Sequence, residues 1–170
     1  MALEVETKIL DINSAIIEER LKALGAKKVF DGILTQELYC KEGFPGHYRI
    51  REDGEKIVVA LKTKTGRDTA HAKVRDEREK VVDSKEQARQ DAKKLGFAYD
   101  KTTKKHRVEY KHENVAFAID TYDDIPPFLE IEADNEEDVL AWAEKLGFPK
   151  RDLKPWSGKQ LRKHYSTNNL

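Results

Sequence analysis

Cysteine is almost missing from this sequence. Cys40 stands alone, so no disulfide can form within the chain, and nothing points to an oxidising compartment. Net charge is missing as well. The 32 Lys and Arg are cancelled by 32 Asp and Glu, which removes the basic excess expected of a general nucleic-acid binder. No apolar run approaches the length that crosses a bilayer. The opening MALEVETKIL places two glutamates where a secretory signal needs a basic and then an apolar stretch. The expectation is a cytoplasmic protein with no membrane and no nucleic-acid partner; monomer and homodimer both fit. Hydrophobic residues are scarce too, at 38%, and charged residues equal them at 38%. Such a mixture suits a disordered chain when one sign dominates, but balanced charge with regular apolar patterning indicates a folded one. At 170 residues there is room for one domain with its own core, expected over 1–170.

What the sequence does contain is alternation. In residues 3–10, Glu4, Glu6 and Lys8 alternate with Leu3, Val5, Thr7 and Ile9, the period of a strand. Residues 14–24 then bring Ile16, Ile17, Leu21 and Leu24 at helical spacing, stopped by Gly25, with Ser14 or Asp11 as N-cap. The unit returns twice. Glu77 and Glu79 precede a helix through Ala88, Ala92 and Leu95 that Gly96 stops; Glu130 and Glu132 precede one through Val139, Leu140, Ala143 and Leu146 that Gly147 stops. This reads as an internally repeated strand–helix unit. Further strands are expected at 33–40, 47–52, 56–64, 103–112 and 115–121. Turn residues part them at 42–46, 53–54 and 111–114, a polar loop fills 65–75, and Pro126 and Pro127 break the chain before the last strand.

The informative feature is which face of each strand carries charge. Arg49 and Arg51 oppose Tyr48 and Ile50, and Lys62 and Lys64 oppose Ile57, Val59 and Leu61. Arg75 shares a face with Glu77 and Glu79, Lys105 with Arg107 and Glu109, and Asp120 with Ala116 and Ala118. Glu130 and Glu132 oppose Leu129 and Ile131. At least seven strands thus have one apolar row and one row charged with both signs. An open antiparallel sheet with a solvated face explains one or two such strands. Over seven, paired Arg and Glu in place of Thr, Ser and Gln favour a sheet closed into a barrel with the charged row inside. Dry burial of so many ions is prohibitive, which requires a wet interior, partly self-paired, with room for a charged ligand. Clustered Arg and Lys suit phosphate oxygens, and clustered carboxylates without His or Cys suit Mg²⁺ or Mn²⁺. Together they describe a site for metal-chelated polyphosphate.

The motif Glu4-Val5-Glu6-Thr7-Lys8 resembles the N-terminal Glu-x-Glu-x-Lys of the CYTH superfamily, the triphosphate tunnel metalloenzymes. The resemblance runs in order through Tyr48-Arg49-Ile50-Arg51, Leu61-Lys62, Arg75-x-Glu77-x-Glu79, Lys105-x-Arg107, Ile119-Asp120 and Phe128-Leu129-Glu130-Ile131-Glu132, covering about residues 3–165. It implies an α+β fold, an eight-stranded antiparallel closed barrel flanked by helices. By the same resemblance Glu4, Glu6, Glu130 and Glu132 hold the metal, Mg²⁺ or Mn²⁺. Lys8, Arg49, Arg51, Lys62, Lys105 and Arg107 hold the triphosphate, and Lys8, Arg51, Glu77, Glu79 and Asp120 carry the reaction. Strand parity selects Lys105 over Lys104, and Lys64 has no counterpart in the motifs.

The expected activity is metal-dependent hydrolysis of an inorganic or organic triphosphate: tripolyphosphate, thiamine triphosphate or a nucleoside triphosphate. The same cradle also suits a class IV-type adenylate cyclase, which additionally needs an adenine pocket, and a non-catalytic polyphosphate binder, which has no use for so many carboxylates. In the tail, Trp156, Leu161 and Tyr165 fall near helical spacing and Ser157 suits a cap; Trp156 reads as packing and Lys159 as a surface lysine. The five histidines, at 47, 71, 106, 112 and 164, show no metal-ligand spacing and receive no chemistry.

Overall fold

The computed structural model describes residues 2–168. Eight strands run in chain order: β1 (Ala2–Ile9), β2 (Lys27–Cys40), β3 (Gly46–Glu52), β4 (Ile57–Lys64), β5 (Lys73–Val82), β6 (Ala98–His112), β7 (Val115–Thr121) and β8 (Phe128–Ala133). Four helices join them: α1 (Ser14–Ala23), α2 (Lys85–Lys94), α3 (Glu136–Lys145) and α4 (Gly158–Asn168). Every strand pairing is antiparallel, in the order β1-β5-β4-β3-β2-β6-β7-β8, and β8 returns to β1 to close the barrel. Among the described residues no helix is long and apolar enough to cross a membrane.

The repeated unit is visible in the helix ends. α1, α2 and α3 all stop at a Leu-Gly pair, with the glycine in the left-handed region at φ 85, 81 and 88° for Gly25, Gly96 and Gly147. In each case the next residue turns back to close the last turn: Ala26 N donates to Leu21 O, Phe97 N to Ala92 O and Phe148 N to Ala143 O, at 2.9–3.0 Å. The starts match too, since Asn13, Ser84 and Asn135 each accept from a backbone N–H of the first turn. At α1 this corrects the expected cap. Asn13 is extended and caps, whereas Ser14 is already helical and Asp11 sits at φ 53° outside the helix.

The apolar row of each strand faces outward, under the helices. Ile17 and Leu21 of α1 and Val139, Trp142 and Leu146 of α3 pack on Val5, Ile9, Tyr110, Phe117 and Ile131. Ala88 and Ala92 of α2 pack on Tyr39, Tyr48, Ile50 and Val59. Each fully buried Leu, Val or Ile contributes about 1.5–3 kcal/mol, so this shell holds the barrel while its interior stays polar. Leu161 of α4 joins a smaller cluster with Ile125 and Phe128.

Three elements are longer than the alternation indicates. β2 and β6 pair from Lys27↔Lys111 to Cys40↔Ala98, extending both beyond 33–40 and 103–112. The added segments are mostly exposed on both faces, so no apolar alternation marks them. β5 begins at Lys73, inside the expected loop 65–75. Beyond Glu6, the β1 edge that faced β5 is taken by Lys154: Lys8 N donates to Lys154 O at 3.0 Å, and Lys154 N to Lys8 O at 2.8 Å. This bridge seats the approach to α4 against the barrel.

Candidate active site

The charged rows converge on a cavity of about 720 Å³. Every charged strand residue that parity sends inward lines it, Lys64, Arg75 and Glu109 included, with the exception of Asp120. Asp120 is fully buried behind the wall, where it accepts from Lys105 at 2.5 Å and from the Arg107 guanidinium through two bonds of 2.7 Å. It therefore aims two cations rather than facing the ligand space. Lys105 is buried and in the lining while Lys104 is exposed, as the β-strand period requires.

Two walls differ in charge balance. On one, Lys8 contacts Glu6 and Glu130 at 3.2 Å each, and Arg107 reaches Glu130 at 3.3 Å as well as Asp120. Burial pushes the Glu130 carboxyl up, but Lys8, Lys105 and Arg107 outweigh it and leave it well below the usual range. Burial lowers the Lys105 ammonium, and neighbouring Arg107 lowers it further. On the other wall, Glu4, Glu6 and Glu132 offer carboxylate oxygens that all lie within 4.8 Å of one another. Burial raises Glu4 to about 7 against the pull of Lys62, and raises Glu132 to about 8 with the help of Glu4. Burial raises Glu6 too, yet Lys8, Lys73 and Lys62 hold it well below the ordinary value. Crowded carboxylates that resist ionising together are short of one cation, and an all-oxygen donor set fits a hard divalent ion. Glu130, expected among the metal residues, stands outside this trio and among the cations.

The basic residues of β3 and β4 complete the ring. Lys62 donates to both Glu4 oxygens at 2.7 Å and lies 2.7 Å from Glu77. Arg49 donates to Glu77 and Glu79 at 2.9 and 2.8 Å. Among the described residues Arg51 has only a 3.8 Å ion-pair contact, with Glu79, which leaves its guanidinium the least committed of these. Burial, and then Arg49, lower it from its ordinary value.

Lys73 and His47 are among the lining residues that escaped the sequence reading. Lys73 hydrogen-bonds Glu6 from the first residue of β5 and shares the parity of Arg75 and Glu77; extending that strand by one inward position finds it. His47 shares the parity of Arg49 and Arg51, and burial with Arg49 beside it pushes its imidazole down to about 4. Ser157, Gly158, Leu161 and Arg162 bring the start of α4 into the lining, and Ser157 caps that helix. Trp156 lies elsewhere, in a separate hollow of about 330 Å³ with Leu10, Phe148 and Lys154, its ring 5.1 Å from His164. Lys159 is exposed and outside the cavity wall.

No family model matches the sequence. Over 152 residues the chain is 33% identical to an adenylate cyclase candidate of Methanocaldococcus jannaschii, covering 81% of this chain and 82% of that protein. Among solved structures, the PH1012 protein of Pyrococcus horikoshii OT3 matches with a TM-score of 0.76 at 25% identity, over 91% of this chain and 96% of that one. HpAC1 of Hippeastrum, an adenylyl cyclase candidate with a dominant triphosphatase activity, matches with a TM-score of 0.58 over 98% of this chain and 97% of its own. At 14% identity the last likeness is one of fold.

Proposed function

Because the chain belongs to the CYTH superfamily of triphosphate tunnel enzymes, we propose that it is a divalent-metal-dependent triphosphatase releasing orthophosphate from a triphosphate held in the barrel. The observation that carries this reading is the split lining: a carboxylate trio within 4.8 Å beside a ring of Lys and Arg around one cavity. Glu4, Glu6 and Glu132 are the residues that would hold Mg²⁺ or Mn²⁺. When bound, such an ion neutralises polyphosphate charge and acidifies water.

The remaining work falls to the chain's own cations. Phosphoryl transfer demands positioning and charge stabilisation more than covalent help. Arg49, Arg51 and Arg107 supply planar forks that match phosphate oxygens bidentately, while Lys8, Lys62 and Lys105 act as point charges. Arg51 meets the ligand with the fewest bonds to break. Asp120 and Glu130 hold Lys105, Arg107 and Lys8 in place before the substrate arrives, so little reorganisation remains for the reaction itself. Glu77 and Glu79 do the same for Arg49 and Lys62.

The relative from Methanocaldococcus jannaschii supports a second reading, cyclisation of ATP with loss of pyrophosphate. HpAC1 shows that a barrel of this fold can be chiefly a triphosphatase. One assay separates the two. Purified protein is incubated with tripolyphosphate, thiamine triphosphate or ATP, each with Mg²⁺ or Mn²⁺ and again with EDTA, and the products are resolved. Orthophosphate that disappears with EDTA supports hydrolysis. Cyclic AMP and pyrophosphate as the products of ATP would replace it with cyclisation. Triphosphate binding that survives EDTA, with no turnover even in Mg²⁺ or Mn²⁺, would leave a cationic binder.

A further inference from the structure

Three lysines balance the carboxylate trio, and they are not equally placed to give way. Lys62 lies 2.7 Å from Glu4 and also 2.7 Å from Glu77. Lys8 lies 3.2 Å from Glu6 and 3.2 Å from Glu130. Each of these two has a second carboxylate, outside the trio, to stay with. Lys73 hydrogen-bonds Glu6, and among the described residues that carboxylate is its only ion-pair partner.

The fold gives Lys73 a fixed base and a free arm. It is the first residue of β5 and sits directly across from Glu6 in the β1–β5 ladder. The backbone is tied down on both sides of it. Thr7 Oγ1 donates to His71 O at 2.6 Å, and Val74 N donates to Asp68 Oδ1 at 2.9 Å. The side chain lines the cavity and keeps 13% of its surface exposed. A compact charge on a flexible four-carbon stem can change partner from such an anchor. The charges of Arg49, Lys62 and Lys73 all act on the His47 imidazole, which puts Lys73 beside two of the proposed triphosphate residues.

We infer that Lys73 is a triphosphate-binding residue that becomes available only when a divalent ion replaces it at Glu6. The inference rests on the metal-dependent triphosphate reading given above. Before the ion binds, Lys73 balances Glu6 and has no charge to spare for phosphate. A divalent ion held by Glu4, Glu6 and Glu132 competes for the same carboxylate and repels the ammonium. Lys62 then stays with Glu77 and Lys8 with Glu130, whereas Lys73 is left to an anionic ligand. Metal and triphosphate thus favour each other through one side chain, beyond their direct contact, and that coupling is reciprocal.

The test is calorimetric titration of the full chain with Mn²⁺ alone, then with bismethylene triphosphonate in EDTA and in saturating Mn²⁺. The P–C–P links of this triphosphate analogue resist hydrolysis. Lys73→Met should bind Mn²⁺ alone about tenfold more tightly than the parent, because a competing cation is gone. The gain in analogue affinity from EDTA to Mn²⁺ should be about tenfold smaller in the variant, the worth of one charge-assisted hydrogen bond. A lysine that always faced phosphate would weaken binding equally in both conditions and leave the gain unchanged. Lys73→Gln is the second variant and should show the same pattern. Failure of the parent to bind the analogue would overturn the triphosphate reading, and failure to bind Mn²⁺ would overturn its metal part. Where the parent binds both, an unchanged Mn²⁺ affinity or an unchanged gain in the two variants would overturn this inference alone.

Discussion

The two walls of the tunnel solve opposite problems with the same residue types. Lys8, Lys105, Arg107, Asp120 and Glu130 form a wall in which every ion has a partner of the other sign, so it is organised before any ligand enters. Glu4, Glu6 and Glu132 crowd like charges together, and Glu4 and Glu132 respond by holding protons near neutral pH. The first wall gains its order from within the fold. The second is paired only in part, Glu4 with Lys62 and Glu6 with Lys8 and Lys73, and it is where the proposed metal ion would sit. The contrast shows how a protein with no net charge could suit a highly charged complex: one wall pairs its ions within the fold, while the other gathers three carboxylates.

Breaking the self-paired wall should have the largest effect. Asp120→Ala leaves Lys105 and Arg107 buried and short of their main counter-charge, and should cost about 3–5 kcal/mol in urea unfolding. Stability near that of the wild type would show that the wall is not paired as described. Next comes Arg51→Ala. It should lower kcat/KM about a hundredfold, the loss typical of removing one preorganised donor, with little change in melting temperature because its only ion-pair contact among the described residues is 3.8 Å long. Near-normal turnover would remove Arg51 from the machinery.

The crowded wall should behave in the opposite sense. Glu132→Gln removes a carboxyl whose ionisation burial and Glu4 already oppose. In EDTA the variant should be at least as stable as the parent, by up to about 1 kcal/mol. Added Mg²⁺ or Mn²⁺ should raise the melting temperature of the parent and lose most of that effect in the variant. An equal metal-dependent rise in both would dissolve the contrast between the walls.

The smallest effect lies outside the tunnel and serves as a reference for it. Glu37 accepts from Arg89 at 2.5 and 3.0 Å, and from Tyr39 at 2.7 Å. Arg89, more than burial, sets the balance and lowers its carboxyl. A depressed carboxyl stabilises the fold above its unfolded value, about 4.3, and that contribution fades as pH falls through the lower folded value. Arg89→Ala should therefore cost about 1 kcal/mol near neutral pH, kept small by the exposure of Arg89. The difference should fade as pH falls below that unfolded value. A difference unchanged between neutral pH and acid would show that packing, not charge, is what the variant removes.

Much of this site was legible because a strand alternates faces with every residue. Parity alone sent Glu4, Arg51, Lys105 and Glu130 to one side, and the coordinates place all four in the cavity wall. Legibility failed where that period has nothing apolar to mark it. The outer halves of β2 and β6 are wet on both faces, and Lys73 was lost with the misjudged start of β5. Parity gives a side chain its direction but not its depth, so Asp120 reads like its neighbours yet lies behind them. Tyr122 and Arg162, both in the lining, come from a proline-broken connection and a separate helix, where no shared period links them.

Period-two alternation, the Leu-Gly helix stops and the balanced charge are properties of local chain order. By themselves they determined a charged-lined barrel with helices outside, since each depends on neighbours within a few residues. Which cation meets which carboxylate, where negative charge is left in excess, and what α4 adds to the cavity were decided by closure of β8 onto β1. Coulombic and packing energies depend on distance in space, and side chains far apart along the chain acquire a distance only once the ring is shut.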